Sequence, residues 1–345
     1  GVGPLAISGL ALTFPLMNLA AAFGSLVGVG ASTLVSVKLG QKDYEGANKV
    51  LGNVLVLNVV LGLAFTLVFM LLLDPILYFF GASENTISYA RDYMNVILIG
   101  NVITHMYLGL NAVLRSSGFP KLAMYATLAS VVINCVLNPL FIFGFGWGIK
   151  GSAWATVISQ VISLTGQLIH FSRPKELLHF KKGIYRLKSE IVKGILYIGM
   201  SPFLMNLCAC LIVILINRGL KEHGGDMAIG AYGIVNRVVF LFIMIIMGFN
   251  QGMQPIAGYN FGARQYSRVT EVTKLTMKWA IGVATTGFLL CQLFPSVIVR
   301  MFTTDPELIE AAVYGLHIVF AVFPIVGFQM VATNFFLSIG MSKKA

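Results

Sequence analysis

The feature that most constrains this chain is a succession of apolar stretches, each long enough to cross a membrane as a helix. Nine can be read, at about 8–36, 51–73, 93–116, 122–145, 151–171, 192–218, 228–255, 272–299 and 312–338. A bilayer core takes about 20 helical residues, whereas a barrel strand needs only about 9–11. Inside lipid every backbone N–H and C=O must be paired, which excludes open strands and leaves helices. The runs are rich in Gly, Ala and Ser, residues that let helices approach closely. Composition agrees: 11% of residues are charged, against about 25% in a soluble domain. The expected fold class is an all-α membrane protein.

A net charge of +11 would suit a nucleic acid, but its distribution is a topology signal. The connections after the first, third, fifth, seventh and ninth runs hold 18 of the 24 Lys and Arg residues. The alternate connections hold Arg91, Lys150, Arg218, Lys221 and Arg300, and Arg237 alone lies within a run. The basic side is cytoplasmic by the positive-inside rule. The expected partners are therefore a lipid bilayer and small-molecule substrates, with no nucleic acid, and the chain is read as a monomer. The longest basic connection, 172–190, reads as a cytoplasmic linker between an N-terminal lobe, 1–171, and a C-terminal lobe, 191–345.

The chain matches itself at a shift of 222 residues: Gly30 meets Gly252, Gly40 and Tyr44 meet Gly262 and Tyr266, and Gly118 and Lys121 meet Gly340 and Lys343. The first run must travel from outside to inside, and the sequence opens at Gly1 with no signal-peptide pattern. The shift then predicts one further helix before Gly1 and two after Ala345. That makes a twelve-helix transporter of two six-helix repeats, nine of whose helices are present here. Six spans is an even number, so both repeats share one orientation and can rock about a central cavity.

Asn134 and Asn138 are four apart and share a helix face. Pro139 cannot donate to the Cys135 carbonyl, so a polar backbone group is freed beside them. The patch suits an ion, a water or a substrate group, or else packing between helices. Arg237 lies about nine residues into its run, with Asn236 beside it and Tyr232 nearby; it either faces a cavity or snorkels to the interface. His105 and His317 read as hydrogen-bonded structural histidines. Asn206, Gln251, Gln254, Gln329 and Asn334 are further polar positions, some of which should line a cavity. Pro15, Pro202, Pro255 and Pro324 interrupt runs; with Pro139, the last three are the hinge candidates. Cys135, Cys208, Cys210 and Cys291 have no metal or disulfide spacing. No nucleophile, acid–base or metal cluster appears at helical spacing, and no filter motif, so neither an enzyme nor a channel is expected.

Several segments together resemble the multidrug and toxic compound extrusion (MATE) transporters, most closely their MepA-like branch. They are Phe79-Phe80-Gly81-Ala82-Ser83 with Ala90-Arg91-Asp92-Tyr93, Leu114-Arg115-Ser116-Ser117-Gly118, and Asn134 through Pro139. Gly148 through Thr156, Gly252-Met253-Gln254-Pro255 and Gly258 through Arg264 complete the set. The resemblance implies an antiporter of the bacterial plasma (inner) membrane. It would export small organic, often cationic and amphiphilic compounds in exchange for H⁺ or Na⁺, without a cofactor. It also implies that Asn138 stands where the family often has an acid, and that Thr156 lies near the same site. The family's usual coupling Asp is expected on the helix before Gly1. The alternative is a flippase for a lipid-linked precursor, which would want several cations in its cavity.

Overall fold

The apolar runs do fold as helices, but the helices are cut differently from the runs. The computed structural model describes residues 4–345, apart from the side chains at positions 4, 5, 7, 214, 217, 221, 224 and 226. In order they are α1 (Pro4–Gly40), α2 (Tyr44–Leu71), α3 (Leu73–Phe79), α4 (Ile87–Ile99), α5 (Asn101–Ser116), α6 (Pro120–Pro139), a π turn (Leu140–Gly144) and α7 (Gly148–Phe171). They continue with α8 (Ser189–Gly262), α9 (Tyr266–Leu293), α10 (Pro295–Arg300), α11 (Pro306–Phe320) and α12 (Phe323–Ser338). Among the described residues, five helices are long and apolar enough to cross a membrane, or up to seven if each of two bent pairs is one span.

The nine-helix count is therefore corrected. The third and ninth runs are bent pairs, α4 with α5 at 53° and α11 with α12 at 50°. The sixth and seventh runs form one helical trace, α8, interrupted at Gly225 (φ 63°, ψ −160°), a conformation that glycine adopts at little cost. Helical dihedrals continue through Pro202 and Pro255. Pro324 lies in the first turn of α12, where its missing N–H has no partner to lose.

The chain divides into two compact units, Gly1–Leu207 and Cys208–Ala345. In the first, Val27, Leu51, Leu110, Leu114, Phe171 and Ile195 form one buried cluster, and Leu16, Leu77, Met94 and Ala153 belong to another. α1 packs on the opening turns of α8 at a separation that only glycine permits. A Cβ on Gly199 would overlap the Leu26 carbonyl, and one on Gly30 the Ile195 carbonyl. In the second unit, Ile246, Ala284, Leu316, Phe320 and Val331 are buried together. There α12 lies close on α9: a Cβ on Gly327 would sit 2.8 Å from the Ala280 carbonyl oxygen.

Helix boundaries recur at the interval found in the sequence. Tyr44–Leu71 and Tyr266–Leu293 begin and end 222 residues apart. The same interval separates two non-glycine residues of positive φ, Lys42 (61°) and Arg264 (59°), and the turn glycines Gly118 and Gly340. The joints differ in chemistry. Asp43 caps α2, its Oδ1 accepting from the Gly46 N–H at 2.8 Å while its Oδ2 pairs with Lys38 Nζ at 2.8 Å. The Lys38 hydrogen bond, then the Gly46 N–H, holds this carboxyl below its ordinary range. Gln265 has nearly the same backbone (φ −91°, ψ 65°, against −83° and 72°) but makes no side-chain cap to α9. Gln265→Asp should supply that cap and raise stability by about 1 kcal/mol, read as a higher midpoint in thermal unfolding of the detergent-solubilised protein.

Candidate functional site

The polar patch expected at the end of α6 is formed, and α7 joins it. Asn138 Nδ2 donates to Asn134 Oδ1 at 2.8 Å, the one-turn spacing placing them in line. Asn134 Nδ2 donates in turn to Thr156 Oγ1 on α7, at 3.2 Å. Thr156 gives its own proton to the Ser152 carbonyl at 3.1 Å, so its oxygen is left to accept.

The relay ends in an unpaired acceptor. Asn138 Oδ1 is buried and, among the described residues, has no hydrogen-bond partner. A buried polar atom in that position costs about 1–3 kcal/mol unless something fills it. A cation, a water or a donor on a substrate could do so.

Pro139 shapes the surroundings. Having no N–H, it ends the regular ladder of α6, and the chain loosens into the π turn, where the Phe145 N–H reaches the Leu140 carbonyl at 3.0 Å. Gly151 presses the start of α7 against this turn, since a Cβ there would lie 2.8 Å from the Phe141 carbonyl. Gly151 is therefore a spacer between the helix that carries the asparagines and the helix that carries Thr156.

The other candidates lie elsewhere. Asn206 is exposed and donates to the Pro202 carbonyl of its own helix at 2.9 Å. Asn236 and Arg237 belong to the second unit, where Arg237 is exposed and makes no ion pair among the described residues. His105 is buried with Nε2 3.0 Å from the Ala20 carbonyl oxygen, the hydrogen-bonded structural role expected of it. Among the described residues no cluster of three or more His, Cys, Asp or Glu is placed to hold a metal ion.

The chain matches the family model described as MatE over residues 1–140 and 198–345. The chain belongs to the MatE family. It is 31% identical to the multidrug export protein MepA of Staphylococcus aureus (strain N315), over 98% of this chain and 75% of that protein. The multidrug export protein MepA of Staphylococcus haemolyticus is 30% identical over the same shares. Among solved structures, the MATE multidrug transporter DinF-BH is 35% identical with a TM-score of 0.90, covering 99% of this chain and 77% of that one. A MOP-superfamily transporter from Pyrococcus furiosus is 25% identical with a TM-score of 0.92, covering 100% and 77%. As a MatE protein, the chain is a multi-pass membrane transporter and not an enzyme.

Proposed function

We propose that this MatE transporter exports small organic compounds, cationic and amphiphilic in the main, in exchange for H⁺ or Na⁺. Two lobes would rock around a central cavity, and the 222-residue recurrence of helix boundaries and turn conformations supports two copies of one unit. The names of the relatives favour multidrug export over the lipid-precursor flippase. The observation that carries the reading is the buried Asn138 Oδ1, unpaired among the described residues, at the end of the Thr156–Asn134–Asn138 relay.

The chemistry of this site bears on the coupling ion. Amides and a threonine hydroxyl do not titrate at accessible pH. The relay therefore suits a dehydrated Na⁺ or a hydrogen-bond donor, and a coupled proton would ride on a group outside it. Asn206, Asn236 and Arg237 are assigned to substrate contact, and Pro139, Pro202, Pro255 and Pro324 to bending. The test is export in cells making the full-length protein. Resistance to cationic dyes should rise, and collapsing the H⁺ and Na⁺ gradients should abolish it. Export that survives the loss of both gradients overturns antiport.

A further inference from the structure

We propose that the connection between α7 and α8 is a rigid docking strap for anionic phospholipid headgroups. Its backbone is stitched to α2 by two buried asparagines. Asn48 donates to the Leu177 carbonyl at 3.2 Å and accepts from the His179 N–H at 3.0 Å. Asn53 donates to the Arg186 carbonyl at 3.1 Å and accepts from the Lys188 N–H at 2.9 Å. Between the asparagines, Gly52 lies so close that a Cβ would overlap the Ile184 carbonyl, and Leu178 and Ile184 are each 2% exposed. The inner side of the strap is thus part of the first unit's core.

The outer side has the opposite chemistry. Lys181, Lys182, Arg186 and Lys188 are exposed, and between them stand Tyr185 (43% exposed) and Leu187 (49%). From 172 to 193 there are seven basic residues against two acidic ones. Among the described residues none of these seven has a carboxylate within ion-pair distance, whereas Arg91 and Lys150, of the opposite connections, pair with Asp74 and Asp92. The nearby acid Glu45 is bonded to Lys49.

The strap's place in the membrane selects the partner. It joins the end of one membrane-depth helix, Phe171, to the start of the next, Ser189, on the side that the basic connections mark as cytoplasmic. That is headgroup level on the leaflet whose anionic lipids attract polybasic segments, and Tyr belongs at such an interface. A flexible segment would lose conformational freedom on binding; a stitched one has already lost it.

The experiment compares the full-length transporter with a K181Q/K182Q/R186Q/K188Q variant in detergent, titrated with phosphatidylglycerol or phosphatidylcholine, with retained lipid counted by native mass spectrometry. The wild type should bind phosphatidylglycerol roughly tenfold or more tightly than the variant does, with phosphatidylcholine binding equal in the two. High salt should erode the preference, because exposed charges are screened. An unchanged preference in the variant overturns the proposal. So does equal stabilisation of the wild type by inorganic phosphate, which would mark a soluble-anion site. Should the variant misfold, the salt titration of the wild type decides: a salt-insensitive preference overturns the strap.

Discussion

Replacing Asn138 with leucine should lower transport by at least about tenfold while leaving the amount of folded protein near the wild-type level. The two readouts separate because the side chain has two ends with different roles. Its Nδ2 bonds Asn134, whereas its Oδ1 is buried with no partner among the described residues. Polar contacts between membrane helices contribute about 0.6 kcal/mol on average. Removing an unpartnered acceptor recovers a desolvation cost of similar or larger size, so stability should change little. Loss of an oxygen that binds a charged group is different, about 1.5–3 kcal/mol, or roughly ten- to a hundredfold in affinity. The measurement is dye export normalised to folded transporter in the membrane. Equal losses of export and folded protein would assign the asparagine pair to helix packing alone.

The largest effect on folding is expected at Gly199. Valine there would drive a side chain into the Leu26 carbonyl of α1, and backbone cannot turn aside as a flexible side chain can. Overpacking of this kind costs about 1–3 kcal/mol and occasionally more, and the opposite contact of Gly30 with Ile195 would be pried open with it. Little folded Gly199→Val protein should survive extraction into detergent. Two controls isolate the cause. At Gly194 a Cβ would meet the end of the Leu34 side chain at 3.1 Å, and at Gly252 it would meet nothing within 4 Å. Alanine at either position should be tolerated. If Gly199→Val is recovered as well as these controls, close packing of α1 on α8 is not what holds the first unit together.

The contrast between Gly30 and Gly252 shows where sequence reading stops. Both were visible as matching positions 222 residues apart, yet one is pressed against backbone and the other faces open space. Residue identity reports that a close approach is allowed; only the neighbouring helix decides whether it is used. The spans were legible because lipid imposes a length and a composition. The α4–α5 bend was not, because it falls at Gly100 in the middle of an apolar run, with no proline there and only Asn101 beside the glycine to mark it. The asparagine pair was legible from its one-turn spacing, and Thr156 from family likeness. Gly151 was not read as a spacer, since the π turn it packs against leaves no periodic mark in the sequence. Asn206 has the same residue type as the pair but bonds its own helix, a difference that composition cannot carry.

The asparagine stitches of the strap also bear on how the protein is made. Each joins residues about 130 positions apart, from Asn48 to His179 and from Asn53 to Lys188. Synthesis proceeds from the N-terminus at about 5–20 residues per second, so for several seconds α2 is in the membrane while both amides still wait for their partners. The first unit therefore cannot close as its early helices emerge. The connection that follows α7, and after it the opening turns of α8 that pack on α1, are its last parts to arrive, so Asn48 and Asn53 wait for their partners until late in synthesis.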